Sequence, residues 1–249
     1  MDVLFYRRDP ELGWQFLPGP EDLRDYGNAD SSLLEGIAKK DSLGLGLRCA
    51  RNLYEREGSK EKSVPILYDR KRGVIVSNES ADILRMFETV LAPVLVGESA
   101  PKLYPPHLST QIEALNDKIY QDINNGAYRA GFTSDQASHD EAHKNYFAAL
   151  KAVDERLSHG RYLLGDAVME TDLRLFPTVV RHDPVYYSRM KLSGMMVADL
   201  PHLSRWLRDM LRLPGVFAAT RMDHCINGYF GRTGTEIIPV AADVEAEWY

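Results

Sequence analysis

Residues 63–85 read S-V-P-I-L-Y-D-R-K-R-G-V-I-V-S-N-E-S-A-D-I-L-R, and the parsing of the whole chain turns on them. Val64-Pro65 opens a short strand, Asp69-Arg70-Lys71-Arg72 makes a charged turn, and Val74-Ile75-Val76 gives a second strand. Asn78-Glu79-Ser80 then stands where a helix begins. Free N–H groups and the Ser80 hydroxyl at such a start suit a carboxylate. A proline where a strand begins, often in cis, leaves the backbone of the preceding residue, here Val64, open to a peptide-like ligand. By themselves the same letters also fit a plain hairpin followed by an N-capped helix.

Upstream, Val3 to Tyr6 is a candidate strand, and Pro10 to Gly27 reads as an irregular loop anchored by Trp14 and Phe16. Leu45 to Glu57 fits a short helix with Leu47, Leu53 and Tyr54 on one side. A helix from Ala81 to about Leu91 closes this first part. Downstream the pattern changes to a helical period. Pro105-Pro106 marks a boundary and suits a helix start. Leu108, Ile112, Leu115, Ile119 and Ile123 recur at spacings of three and four, and Asn124-Asn125-Gly126 is expected to end or bend that helix. Ser134 to Leu157 is a second helix, with Phe147, Leu150, Val153 and Leu157 inward. After the Tyr162-Leu163-Leu164-Gly165 turn comes a third, Glu170 to Arg181, apolar on most sides and so central in a bundle. Leu200 to Leu213 and Pro214 to Tyr229 supply two more. The expected fold class is α+β, with a small mixed domain over residues 1–96 and an all-helical domain over 97–249.

Composition narrows the function. In 249 residues, 44% are hydrophobic and 27% charged, ordinary for a soluble globular protein with a sizeable core. A net charge of −6 gives no electrostatic reason to expect nucleic acid or an anionic membrane as partner. No apolar run reaches the length of a membrane span, and Met1 to Pro10 has no signal-peptide core. Cys49 and Cys225 are too few for a disulfide framework, which points to a reducing, cytoplasmic setting. No CxxC, HExxH, P-loop or GxGxxG pattern occurs, so no metal is expected.

Several unlinked motifs then resemble one family. Y-L-L-G-D-A-V-M-E-T-D-L-R-L-F (162–176) is similar to the core of glutathione transferase helical domains. N-N-G-A-Y-R-A-G-F (124–132), R-L-F-P-T-V-V-R-H-D-P-V-Y (174–186) and H-C-I-N-G-Y-F (224–230) are more specific. With V-P-I-L-Y-D and S-N-E-S-A-D-I-L-R-M-F, they resemble the glutathionyl-hydroquinone reductases, the Xi-class, omega-like glutathione transferases. The likeness starts at D-P-E-L-G-W-Q-F (9–16) and runs nearly to the C-terminus.

The resemblance implies a thioredoxin-like N-terminal domain and a helical glutathione transferase C-terminal domain. It implies glutathione as substrate, held by Val64, Pro65, Glu79 and Ser80. Val64 would pair through its backbone with the cysteinyl part. Glu79 and Ser80 would hold the γ-glutamyl end, its carboxylate at the helix start. Tyr128 and Tyr229 match family tyrosines that line a quinone pocket and hydrogen-bond the oxygens of an aromatic substrate. Tyr186, Tyr187 and His224 lie beside the same motifs and read as structural. A homodimer, joined largely through helical domains, is also implied.

The family's nucleophile is a cysteine in a Cys-Pro-Trp-Ala motif, at the end of the first strand and the start of the first helix. There, backbone N–H groups lower a thiol's pKa. On the resemblance, this chain starts in the second strand, at Val3 to Tyr6, without that motif or the first strand and helix. Neither Cys49, flanked by Arg48 and Arg51, nor Cys225, beside His224, is assigned a catalytic role. The expectation is therefore either a shortened form of an enzyme or a binding or dimerisation module without thiol chemistry. With the central strand absent, either Val3 to Tyr6 pairs directly with the strand around Ile66, the arrangement its apolar residues favour, or the N-terminal region to about Lys60 is loosely held. At the start of the third helix, Asp172 fits a capping box, but the hydroxyl position is taken by Met169. That half-lost box should cost about 1 kcal/mol.

Overall fold

The computed structural model describes residues 1–19, 31–231 and 237–238. The later part of the expected Pro10–Gly27 loop and most of the chain beyond Gly231 lie outside them. The chain divides into two compact units, each considered by itself below. One holds Met1–Ile83 and the stretch from Met222, and the other holds Leu84–Arg221.

In the first unit the expected hairpin forms. Strand β1 (Leu67–Asp69) runs antiparallel to β2 (Val74–Ser77), with Leu67 opposite Ser77 and Asp69 opposite Val74. The turn between them is stitched by the Asp69 carboxylate, which accepts from the Lys71 and Arg72 N–H groups. Gly73 closes it at φ 71°, a left-handed conformation that costs glycine nothing. Helix α1 (Ala50–Arg56) occupies the later half of the expected Leu45–Glu57 element. It is preceded by Gly44 and Gly46, both at positive φ, which keep residues 44–46 from continuing it.

Val3 to Tyr6 does not form a strand, and among the described residues β1 pairs only with β2. The rearranged sheet expected from sequence is therefore absent, because the segment meets its backbone needs elsewhere. The Phe5 N–H donates to the Gln15 carbonyl at 2.8 Å, and the Val3 carbonyl accepts from the Ala38 N–H at 2.8 Å. Irregular backbone around residues 15 and 38 thus takes the place of a ladder partner. The apolar content of the segment is still used. Phe5 and Tyr6 are buried with Ile37, and Leu17, Leu33 and Leu34 pack against them. The C-terminal helix α11 (Met222–Phe230) lies on the same segment, the His224 ring stacked on Tyr6 and its Nε2 bonded to the Leu33 carbonyl oxygen. Gly228 permits this approach, since a Cβ there would meet the Tyr6 carbonyl oxygen at 2.6 Å.

The second unit is built from helices. Helix α2 (Ser80–Met86) crosses from the first unit and passes through a π-helical turn at Phe87–Leu91 into α3 (Ala92–Leu95). Helix α4 (Ser109–Lys118) buries Ile112, and a π-helical stretch, Ile119–Asn124, buries Ile119 and Ile123. The Asn124-Asn125-Gly126 signal does not end this helix, which continues as α5 (Asn125–Phe132). The physical reason lies in the Asn124 amide. It donates to the Arg174 carbonyl at 3.0 Å and accepts from the Thr178 hydroxyl at 2.7 Å, so it is spent on the neighbouring helix rather than on breaking its own.

Helix α6 (Gln136–Leu157) is capped by Asp135, which accepts from the Ser138 N–H. Helix α7 (Glu170–Arg181) buries Leu175, Val179 and Val180 among its apolar residues, and α8 (Tyr187–Arg189) follows a second π-helical turn. Helix α9 (Pro201–Leu211) brings in Trp206, fully buried, and α10 (Val216–Ala219) ends the unit. At the start of α7, Asp172 accepts from the Met169 and Leu163 N–H groups and from Trp206 Nε1, so its half of the capping box is intact. Burial pushes the Asp172 carboxyl up, and these donors hold it back. Beside it the fully buried Glu170 receives a two-pronged bond from Arg85, with Arg174 and Asn116 on the same carboxylate. The Arg85 guanidinium lies 3.8 Å over the Tyr104 ring and reaches Glu113 at 2.8 Å.

Candidate functional site

The two halves of the expected ligand site meet at one end of the hairpin. The Val64–Pro65 peptide bond is cis. Val64 is partly exposed, and its N–H and C=O make no hydrogen bond with any described residue. Ser63, just before it, is tied across the hairpin, its hydroxyl accepting from the Asn78 side-chain amide at 2.9 Å. That bond brings the strand start and the helix start together. The Tyr54 hydroxyl fixes the same corner by donating to the Ser63 carbonyl.

At the helix start Glu79 carries the cap. Its N–H donates to the Ser77 hydroxyl, its side chain accepts from the Ala81 N–H at 3.3 Å, and its carbonyl takes the Ile83 N–H. Ser80 is left exposed, with neither its N–H nor its hydroxyl bonded to a described residue. Val64, Pro65, Glu79 and Ser80 therefore form a corner with open backbone on one side, and a hydroxyl, an N–H and a carboxylate on the other. Such a corner can take an extended peptide carrying both a carboxylate and an ammonium group.

Tyr128 and Tyr229 lie in different units. Tyr229 sits half-buried near the end of α11 in the first. Tyr128, on α5 in the second, stacks on Phe132 with ring centroids 5.8 Å apart and planes inclined by 11°. Its hydroxyl lies 3.3 Å from that of Tyr186. Tyr186 is 1% exposed and meets the hydroxyl of a residue 58 positions away, a contact that sequence spacing could not reveal.

Cys49 is fully buried at the start of α1, its Sγ 3.4 Å from Asn52 Oδ1, and Cys225 is half-buried on α11. Among the described residues no cluster of three or more His, Cys, Asp or Glu side chains could hold a metal ion. None of the described helices is long and apolar enough to cross a membrane.

A thioredoxin-like hairpin and helix followed by a helical unit is the architecture of a glutathione transferase. Comparison with known proteins agrees. The family of glutathione S-transferase C-terminal domains matches residues 136–209. The glutathionyl-hydroquinone reductase YqjG of Escherichia coli (strain K12) is 42% identical over a stretch covering 68% of this chain and 51% of that protein. The glutathionyl-hydroquinone reductase PcpF of Sphingobium chlorophenolicum is 31% identical over 92% of this chain and 70% of its own length. The glutathione-bound structure of E. coli YqjG superimposes with a TM-score of 0.83 at 34% identity, covering 98% of this chain and 76% of the other. The chain belongs to the glutathionyl-hydroquinone reductase family of the glutathione transferases. It spans about half the length of the E. coli relative.

Proposed function

We propose that this chain binds glutathione at the Val64–Ser80 corner, that Tyr128 and Tyr229 each serve in recognising an aromatic or quinone partner, and that it serves glutathione-dependent reduction of glutathionyl-hydroquinones or a related thiol transfer. The observation that carries the reading is the pairing of an unbonded Val64 backbone with an unbonded Ser80 N–H and hydroxyl at one end of one hairpin. Val64 takes the cysteinyl amide in strand-like pairing. Ser80 and the helix start take the γ-glutamyl carboxylate, and Glu79 takes its ammonium. The names of the relatives support glutathione and a hydroquinone as the two ligands.

The reduction itself needs a thiolate. It attacks the glutathionyl sulfur, an S–S bond forms as the ring C–S bond breaks, and the ring carbon takes a proton. A second glutathione thiolate then attacks the glutathionyl sulfur of this mixed disulfide, forming oxidised glutathione and releasing the enzyme thiolate. A second reading, a glutathione-transferase-like binding or dimerisation module without thiol chemistry, is favoured by the complete burial of Cys49. On that second reading, purified protein of this sequence shows negligible reduction of a glutathionyl-hydroquinone, whereas on the first it turns the substrate over. Robust turnover abolished by Cys49→Ser would reverse the second reading.

Calorimetry tests the binding half. Ser80→Ala should weaken binding of reduced glutathione by about 1 kcal/mol, roughly fivefold. An unchanged affinity would reduce the hydroxyl to a bystander. A homodimer belongs to the same proposal, supported by the exposed apolar side chains of Val90, Val94 and Leu95, a face suited to a second copy. A cytoplasmic setting is supported by the two unpaired cysteines.

A further inference from the structure

Helix α2 is short for the task given to it. It has seven residues, Ser80–Met86, and its first turn presents the Ser80 N–H and hydroxyl. Isolated helices below about 12 residues are marginal in water, because few backbone bonds follow a costly nucleus. The chain beyond does not extend this helix in the same register. After Met86 the bonding slips to the wider spacing of the Phe87–Leu91 π-helical turn. Ile83 alone among its seven residues is buried, so apolar packing secures α2 at one point.

Arg85, in the last turn, supplies the other point. Its Nε and Nη2 donate to the two Glu170 oxygens at 2.9 and 2.8 Å, and its Nη1 donates to Glu113 at 2.8 Å. Its guanidinium lies 3.8 Å over the Tyr104 ring, and its carbonyl accepts from the Thr89 hydroxyl at 2.7 Å. Glu170 is fully buried and is also held by Arg174 and Asn116, so it cannot follow a partner that moves. Arg85 and these partners all belong to the second unit. Desolvation offsets much of the attraction in a pair of this kind, so net stability alone does not account for it. A planar fork bonded at three nitrogens and stacked on a ring fixes position as well as charge.

We propose that Arg85 is a positioning residue for glutathione: by pinning the last turn of α2 it keeps the helix wound, and the wound helix holds the Ser80 N–H and hydroxyl ready for the ligand carboxylate. The proposal rests on the reading of the Val64–Ser80 corner as the glutathione site. Arg85 acts through the helix and touches no ligand. When α2 unwinds from its far end, the Ile83 N–H leaves the Glu79 carbonyl, and the helix start must be rebuilt before glutathione can bind. Apparent affinity then falls with the fraction of molecules whose helix is intact.

Calorimetry with reduced glutathione and amide hydrogen exchange, both on the full chain, test this. Arg85→Met removes the guanidinium but keeps nearly the same helix propensity, so unwinding in that variant reflects the lost bonds. It should weaken glutathione binding by about fivefold or more and speed exchange of the Ile83 amide by at least as large a factor, with the amides of α6 and α9 unchanged. Arg85→Lys keeps the charge without the fork and should fall between the parent and Arg85→Met. It carries the test if Arg85→Met does not fold. Ser80→Ala should weaken binding less in the Arg85→Met background than in the parent, because both changes act at one helix start. Equal affinity in the parent and in both Arg85 variants overturns the proposal and leaves the corner reading standing. Faster exchange spread evenly over α2, α6 and α9 overturns it too, since Arg85 would then be a general support. Failure of the parent to bind glutathione overturns the corner reading and the proposal with it.

Discussion

His182 shows how much a single side chain can be constrained by its neighbours. It is fully buried, and its Nε2 faces the Met195 carbonyl at 2.9 Å. A carbonyl only accepts, so Nε2 carries the proton and Nδ1 accepts from the Tyr146 hydroxyl at 2.8 Å. Both ring nitrogens are satisfied in the neutral form. Burial lowers the imidazole pKa, while the Met195 carbonyl and the Asp183 carboxylate pull it partly back. The unfolded chain therefore takes up a proton as pH falls through about 6.5, and the folded chain does so only at lower pH. Stability contributed by this site is complete above pH 6.5 and is lost as pH falls from there to the folded-state pKa. The loss is about 1.4 kcal/mol per pH unit at most. Urea midpoints at pH 7.5 and 5.5 measure it. His182→Phe keeps an aromatic ring and should shrink the difference between the two. An equal difference in both proteins would show that the acid sensitivity lies elsewhere.

At the scale of elements, the contact between α11 and the Phe5–Tyr6 segment combines the His224–Tyr6 ring stack with a close backbone approach at Gly228. A methyl group at Gly228 would meet the Tyr6 carbonyl oxygen at 2.6 Å, and a carbonyl in fixed backbone cannot rotate away as a side chain can. Gly228→Ala should therefore shift α11 and cost about 2 kcal/mol, read from denaturant unfolding. An unchanged midpoint would mean that the helix is free to move. The same contact marks the limit of what sequence could tell. The periodic apolar residues of α4, α6, α7 and α9 announce themselves, because one helix face fills the core whatever its neighbours are. Val3–Tyr6 looked like a strand because apolar runs suit strands, but strand identity depends on a partner ladder, and no local pattern names that partner. Asn124 looked like a helix stop because the sequence does not show Arg174 and Thr178 waiting for its amide. In the candidate site, the turn chemistry around Val64-Pro65 and Asn78-Glu79-Ser80 could be read locally. The Ser63–Asn78 bond that joins the two halves, and the Tyr128–Tyr186 hydroxyl contact, span chain separations that spacing does not encode.

For the molecule as a whole, the two units differ in how their backbone is secured. The second is a set of helices whose amides are bonded within each helix, around side chains as completely buried as Ile112, Tyr146, Leu150, Leu175, Trp206 and Met210. The first has a ladder of only three and four residues, and much of the remainder is held by single bonds between irregular segments, such as Phe5 to Gln15 and Ala38 to Val3. Local opening is governed by how many buried contacts and shielded hydrogen bonds must break together. Amides in α6, α7 and α9 should therefore exchange slowest with solvent deuterium. Those of residues 3–17 and 31–48 should exchange faster by at least about a hundredfold, the gap produced by about 2.7 kcal/mol of opening free energy. Added glutathione should then slow exchange at Val64 and at Ser80 to Ile83, with α9 unaffected, because binding stabilises only the states that contain the assembled corner. Uniform protection across both units would contradict the hierarchy. Glutathione-induced slowing that avoided Val64 and Ser80 would move the binding site away from the hairpin.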